Sequence, residues 1–132
     1  MVDVPALSWV PDAVSPAEYA DVSRDRSGIH LDEDLARRQG LPGVILHGMH
    51  VFGQVVSHLD RMSPSGTVWS VSCRFVDVSL PGTQIDVQFF ELEEGLVFSA
   101  KQGGRLVLAA GTAKAKSTGD GMPVAPASAG RS

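Results

Sequence analysis

The sequence predicts an α+β domain in which a curved antiparallel β-sheet wraps around one long central helix. Apolar residues recur at helical spacing between Gly48 and about Arg61, which gives an apolar stripe about four turns long. Beyond them come four segments rich in Val, Ile, Phe and Leu, separated by short glycine-containing turns. With 132 residues, the chain is predicted to form a single domain around one core.

The N-terminal segment is predicted to contain a short extended piece around Ala6 to Val10 and then a helix from about Pro16 to Ser23. In this interpretation Ser15 is the N-cap of a capping box, with Glu18 reaching back. The segment from Arg24 to Ile29 has charges, Ser and Gly but no apolar period, and is interpreted as a loop.

A second short helix is expected to begin at its N-cap Asp32 and to end at Gly40, before Leu41-Pro42-Gly43 breaks the chain again. The long helix follows. Its predicted apolar stripe consists of Met49, Phe52, Val55, Val56 and Leu59.

Four successive antiparallel strands are predicted after the long helix. In the first, residues Trp69 to Phe75 alternate apolar and polar side chains, and Pro81-Gly82 then turns the chain. Glycine-containing pairs typical of hairpin turns separate the others. The remaining strands span Gln84 to Leu92, Leu96 to Gln102 and Arg105 to Lys116, with turns at Glu93-Glu94-Gly95 and Gly103-Gly104.

The domain is predicted to span residues 1–116, and residues 117–132, rich in Gly, Ser, Pro and Ala, are expected to form a flexible C-terminal tail. A net charge of −4 argues against a nucleic-acid partner, which would require a basic stripe. No apolar run is long enough for a membrane span, and the N-terminus lacks the pattern of a signal peptide. We therefore expect a cytoplasmic protein without nucleic-acid or membrane partners.

Three residues form a candidate catalytic site. Asp25 and His30 lie five positions apart in a glycine-containing segment and can converge on one water molecule. The N–H of Gly48, at the start of the long helix, can polarise a carbonyl oxygen. This combination predicts addition or removal of water beside a thioester.

The same residues carry a resemblance to the R-specific enoyl-CoA hydratase family, also called MaoC-like. Its pattern is Ser-Gly-Asp-x-Asn-Pro-Ile-His, five residues, a small residue, and later an apolar residue followed by His-Gly-Met. A second stretch, Arg74 to Gly82, is similar to a strand and turn of the same family. The first pattern falls in register on Ser23, Asp25, Ile29, His30, Ala36, His47, Gly48 and Met49.

The resemblance implies the hot-dog fold, in which a curved antiparallel sheet wraps around a central helix and two such domains usually pair. The chain departs from the family pattern at three places. Arg24 stands where the family has Gly, Ser27-Gly28 replaces Asn-Pro, and Val56 stands where some members carry a Ser. Ser27 offers one hydroxyl in place of the amide that orients the Asp.

The implied activity is the reversible hydration of a trans-2-enoyl thioester, carried on coenzyme A or an acyl-carrier protein, to an (R)-3-hydroxyacyl thioester. In this hypothesis Asp25 accepts a proton from water, His30 orients the water and helps to protonate the α-carbon, and Gly48 supplies the oxyanion donor. Substrate contacts are assigned to Ser27, Gly28, His47 and Met49. No cofactor and no metal are expected, and His50 and His58 are interpreted as ordinary structural histidines.

A homodimer is the expected assembly, and fatty acid or polyketide metabolism is the expected context. Three alternatives stay open at this point. The chain could be one subunit of a hetero-oligomeric hot-dog hydratase, a thioesterase on the same fold, or a biosynthetic dehydratase or cyclase.

Overall fold

A computed structural model describes residues 4–117, which form one five-stranded antiparallel sheet and four helices. The order of strands across the sheet is β1-β3-β4-β5-β2. This arrangement confirms the predicted α+β class. The elements are β1 (Leu7–Trp9), α1 (Ser15–Ser23), α2 (Gly28–Leu31), α3 (Glu33–Arg38), α4 (Gly48–Arg61), β2 (Thr67–Phe75), β3 (Ile85–Leu92), β4 (Gly95–Gln102) and β5 (Arg105–Ser117).

Helix α4 has the predicted bounds and supplies one side of the hydrophobic core, but its buried face differs from the predicted stripe. Val51, Val55 and Leu59 are buried, whereas Met49 is 56% exposed. Since residues two positions apart point in directions roughly 200° apart on a helix, Met49 faces away from the side that Val51 buries. The core cluster consists of Val4, Leu46, Val51, Val55, Leu59, Ile85, Val87, Leu96, Phe98, Ala100, Val107, Leu108 and Ala113.

The sequence predicts that the four strands after α4 follow one another across the sheet. The structure shows a different order. β3, β4 and β5 form a meander, but β2 pairs with β5 at one edge and β1 pairs with β3 at the other. β5 is 13 residues long, enough to pair with neighbours on both sides. Pro81-Gly82 therefore does not close a hairpin, and the Gly82 N–H donates to the Pro11 carbonyl at 2.7 Å.

Both predicted hairpin turns are present between the meander strands. Leu92 pairs with Gly95, and Gln102 pairs with Arg105 across Gly103-Gly104. These two glycines have φ values of +58° and +78°, as a tight two-residue hairpin turn requires.

The start of α1 corrects the predicted capping box. α1 begins at Ser15 itself, after Val14, and no side chain caps it. Asp12 organises the turn instead, because its carboxylate accepts from the Val14 N–H at 2.9 Å and its carbonyl from the Ser15 N–H at 3.1 Å. Ser15 is thus a helical residue and the capping box is wrong.

The segment that follows α1 is also shorter than predicted, because helix α2 begins at Gly28. His30 therefore lies on a helix. Asp32 caps α3 as predicted, accepting from the Leu35 N–H at 3.1 Å, and Gly40 takes a left-handed conformation just after that helix.

β5 extends to Ser117, and the rest of the predicted tail, residues 118–132, lies outside the described residues. Within residues 4–117, no helix has the length and apolar character needed to cross a bilayer.

Candidate active site

A four-residue segment, Arg24 to Ser27, presents Asp25 between α1 and α2. Its geometry begins at Arg24, whose φ of +66° is in the left-handed region. This is the position where the family pattern has Gly, which adopts that conformation at no steric cost. The Asp25 N–H then donates to the Ser23 hydroxyl at 3.2 Å. The chain therefore reaches the geometry of a glycine turn with a strained arginine.

The two carboxylate oxygens of Asp25 have different surroundings. Oδ1 accepts from the Ser27 hydroxyl at 2.9 Å and from the Ser27 N–H at 3.2 Å. These two hydrogen bonds hold the pKa of Asp25 below its usual value, with a smaller contribution from His30 and His47. Oδ2 points toward His30, 3.9 Å from its Nε2 atom. Asp25 is thus an oriented carboxylate with one oxygen available.

His30 is buried, and one of its ring nitrogens is committed to the backbone. Its Nδ1 lies 2.8 Å from the Ile45 carbonyl, which can only accept, so Nδ1 carries the proton. In the neutral ring, Nε2 is then a free acceptor facing Asp25. Gly28 allows α2 to pack here, since a Cβ at that position would lie 2.0 Å from Leu35 Cδ2.

His47 connects the start of α4 to the Asp25 segment. Its Nε2–H donates to the Asp25 backbone carbonyl at 2.8 Å, and its ring stacks on His30 with centroids 3.8 Å apart and planes 14° from parallel. His47 Nδ1 is buried without a hydrogen-bond partner among residues 4–117. These contacts give His47 a bracing role.

A second aromatic layer lies behind His47. Tyr19 stacks on His50 with centroids 4.8 Å apart and planes 5° from parallel, and it also contacts His47 at 4.8 Å. Burial lowers the pKa of His50, with a further contribution from His47, while Glu18 acts in the opposite direction. The sequence analysis missed this layer. Tyr19 lies three positions after the buried Pro16, so helical spacing places these two residues on roughly the same side of α1.

Gly48 is the first residue of α4, so its N–H has no acceptor inside the helix. Gly48 and His30 both line a cavity of about 160 Å³. Phe75 lies close to Gly48, because a Cβ at that position would be 3.0 Å from Phe75 Cδ1. The cavity is lined by His30, Ile45, Leu46, Gly48, Val51, Phe75, Asp77, Val78, Ser79, Val107 and Leu108.

Asp25, His30 and His47 offer three ligand atoms within 4.8 Å of one another, a spacing that a metal ion could use. Their hydrogen bonds show which of these atoms remain free. Each imidazole donates one N–H to a backbone carbonyl, and one oxygen of Asp25 is engaged by Ser27. The atoms left are Asp25 Oδ2, His30 Nε2 and the buried His47 Nδ1, of which the first two are suited to share a water molecule.

The structure brings some of the predicted site residues together and separates others. Asp25 faces His30, and His30 shares a cavity with Gly48. Ser27 and His47 contact Asp25, but neither lines that cavity, and Met49 lines a separate groove with Tyr19 and His50. The predicted substrate contacts of Ser27, Gly28, His47 and Met49 therefore stay predictions.

The sequence analysis did not identify the opposite wall of the cavity, formed by Phe75, Asp77, Val78 and Ser79. The sequence analysis places Phe75 at the end of a strand and notes that Arg74 to Gly82 resembles a strand and turn of the family, but it assigns this segment no role in the site. The Ser79 carbonyl accepts from the Leu46 N–H at 2.8 Å, which ties this wall to the residues just before α4. The signal available in the sequence was the loss of alternation after Phe75.

Comparison with known protein families gives a match to the MaoC like domain over residues 10–111. Among curated proteins, fatty acid synthase subunit beta of Saccharomyces cerevisiae is 36% identical over 81 residues, which are 59% of this chain and 4% of that protein. The corresponding subunit of Aspergillus oryzae is 39% identical over 75 residues, 54% of this chain and 4% of that protein. The chain thus spans about 4% of the length of these relatives.

Solved structures resemble the fold closely at low sequence identity. The (R)-hydratase from A. caviae involved in PHA biosynthesis has a TM-score of 0.71 at 22% identity, covering 85% of this chain and 92% of that one. A MaoC-like dehydratase from Phytophthora capsici has a TM-score of 0.78 at 19% identity, covering 92% and 45%. The ChsH1-ChsH2 complex from Mycobacterium tuberculosis gives 0.73 at 15%, covering 89% and 98%. These similarities confirm the predicted hot-dog fold.

Proposed function

We propose, because this chain belongs to the MaoC-like dehydratase family, that it catalyses the reversible hydration of a trans-2-enoyl thioester to an (R)-3-hydroxyacyl thioester. The carrier is coenzyme A or an acyl-carrier protein. One observation carries the proposal. The free oxygen of Asp25 and the free nitrogen of His30 face each other across 3.9 Å, and His30 lines the same cavity as Gly48, the first residue of α4.

A water molecule is the reactant that this gap suits. An oxygen atom can lie about 2.8 Å from both Asp25 Oδ2 and His30 Nε2, which is ordinary hydrogen-bond distance. Asp25 accepts one hydrogen of this water. His30 accepts the other at Nε2, since its Nδ1 already carries the ring proton.

Asp25 is the group that takes the proton from water, and His30 orients the water. Hydrogen bonds from Ser27 hold Oδ1 and lower the pKa of Asp25, which keeps the carboxylate ionised with Oδ2 facing the water. In hydration, the water oxygen bonds to C3 as Asp25 Oδ2 removes one of its protons, and that proton is then delivered to C2 with the help of His30. Dehydration follows the same steps in reverse.

Negative charge develops on the thioester oxygen between these two proton transfers. The Gly48 N–H, at the positive end of the α4 dipole, is the donor for that oxygen. Phe75 packs close to Gly48 and covers one side of this position. A donor of this kind acts most strongly where water is excluded.

The experiment is a hydration assay on a short trans-2-enoyl-CoA, followed by the loss of absorbance of the conjugated double bond. We expect Asp25→Asn and His30→Ala each to lower kcat by about 10²–10⁴-fold. A free-thiol reagent in the same reaction distinguishes the thioesterase alternative, because hydration leaves the thioester intact. Variants that both retain the parental rate would contradict the proposal, and thiol release without loss of the double bond would favour a thioesterase.

We further propose that the chain works as a homodimer. Three exposed apolar residues, Met49, Phe75 and Val76, lie at 56%, 51% and 44% exposure near the start of α4 and the end of β2. An apolar surface of this kind is typical of a contact between subunits. Native mass measurement tests this assembly against a 13.9 kDa monomer, and activity that requires a second, different hot-dog chain would favour the hetero-oligomer.

A further inference from the structure

We propose that the cavity beside His30 and Gly48 is the acyl pocket and that it restricts the enzyme to short acyl chains, of about six carbons or fewer. This inference rests on the proposed function. It adds a substrate class and the residues that set it, Val51, Val107 and Leu108.

The volume of the cavity sets the upper limit. It measures about 160 Å³. A cavity of about 150 Å³ lined by apolar side chains in another protein holds one benzene molecule, which has six carbons. The pocket therefore accepts a four- to six-carbon acyl group, and a longer chain would exceed it.

The floor of the cavity is the core itself. Val51, Val107 and Leu108 are each at most 2% exposed and all belong to the core cluster. Val51 lies three residues after Gly48 on α4, which is about 4.5 Å along the helix from the proposed oxyanion donor. Beyond this floor, a longer chain could extend only by displacing core side chains, which costs stability.

A β-bulge explains why two consecutive residues of β5 close this floor. Ala100 pairs with Leu108 and Lys101 pairs with Leu106, so Val107 has no partner on β4. In a regular strand, successive side chains point to opposite faces, but Val107 and Leu108 are both buried and both line the cavity. The bulge thus turns an additional apolar side chain into the pocket.

A second contact fixes the bulge to the opposite wall. The Val107 carbonyl accepts from the Val76 N–H at 3.0 Å. Val76 directly follows Phe75 and precedes Asp77, both of which line the cavity. The floor and this wall are therefore held together by the backbone, which limits how far the pocket can widen.

The first experiment measures kcat/KM for the purified full chain on trans-2-enoyl-CoA substrates of 4, 6, 8, 10 and 12 carbons. We expect the highest value at four or six carbons and a fall of at least tenfold at eight, because a methylene that does not fit costs at least that factor. Competition by saturated acyl-CoA esters of the same lengths gives an independent measure of binding, with weaker inhibition beyond six carbons.

The second experiment enlarges the pocket and compares two valines of the same helix. Val51→Ala removes a side chain from the cavity floor, whereas Val55→Ala removes an equally buried side chain that does not line the cavity. We expect Val51→Ala to raise the eight-carbon to four-carbon ratio of kcat/KM at least fivefold. Val55→Ala should leave that ratio unchanged, although both variants lose stability.

The outcomes separate the two proposals. No turnover of any substrate by the parental chain would overturn the proposed function. Turnover at equal rates from four to twelve carbons, with equal inhibition by all saturated esters, would leave that function standing and overturn the short-chain pocket. An equal shift in Val51→Ala and Val55→Ala would also overturn it, because general loosening of the core would then explain the change.

Discussion

The two ends of helix α4 carry the same kind of histidine contact with opposite consequences. At the N-terminal end, His47 donates to the Asp25 carbonyl at 2.8 Å, and at the C-terminal end His58 donates to the Pro5 carbonyl at 2.8 Å. His58 also stacks on Phe89, 5.6 Å away, and lies beside the buried Leu59. The C-terminal contact therefore fastens the N-terminal segment to the core.

At the N-terminal end, the same kind of contact holds groups that are not fully satisfied. His47 Nδ1 and His50 Nδ1 are buried without partners in the part of the chain that the structure describes. A free carboxylate oxygen, a free imidazole nitrogen and a free backbone N–H lie around them. Buried polar groups without hydrogen-bond partners cost stability. We therefore expect them at the N-terminal end of α4, where the candidate site lies, while the contacts at the C-terminal end supply stability.

Among the tests of this comparison, we expect the largest effect from a substitution at Gly48, at the N-terminal end of α4. Gly48→Pro removes the N–H while keeping the helix, because proline is tolerated at the first helical position and His47 already has the extended backbone that precedes proline. We expect kcat to fall by about 10²–10³-fold in the hydration assay.

Gly48→Ala is the matched control, since it keeps the N–H and adds a Cβ that presses on Phe75 at 3.0 Å. We expect the fold-decrease in kcat of this variant to be less than one tenth of that of Gly48→Pro. Equal losses in the two variants would show that shape at this position matters, and the N–H does not.

An intermediate effect tests the C-terminal end. His58→Ala leaves the Pro5 carbonyl without its donor and opens space beside Phe89, so we expect a loss of about 2–3 kcal/mol in the free energy of unfolding, measured by denaturant titration. At a temperature where the variant is folded, its kcat should match that of the parental chain. A fall in kcat with unchanged stability would contradict the division of labour between the two ends.

We expect the smallest effect on kcat from a substitution at Ser27, which tests how Asp25 is held near the N-terminal end of α4. Ser27→Ala removes the hydroxyl that holds Asp25 Oδ1, so we expect kcat to fall about fivefold through poorer orientation of the carboxylate. Because the lost hydrogen bond stabilises the ionised form, the pKa of Asp25 rises, and the acid limb of the pH profile moves to higher pH.

Ser27→Thr keeps a hydroxyl and should retain both the rate and the position of the acid limb. A pH profile of Ser27→Ala that coincides with the parental one would indicate that the Asp25 carboxylate does not govern this limb.

Local sequence patterns predicted the elements better than their arrangement. The bounds of α4, the cap at Asp32 and the two hairpins were predicted correctly, because each depends on residues close together in the chain. The capping box at Ser15 was wrong because Asp12 makes the competing turn. The place of β2 at the sheet edge was missed, since strand order depends on pairing partners some 40 residues apart.

The sequence by itself determined the chemical groups of the site and the helix start that presents Gly48, because a short motif contains them. Only the tertiary structure decided which atoms of those groups are free. The Ile45 carbonyl fixes the proton of His30, Ser27 occupies one oxygen of Asp25, and a bulge at Val107 closes the cavity. Such contacts join segments that are distant in the chain, so their geometry exists only once the sheet has closed around α4.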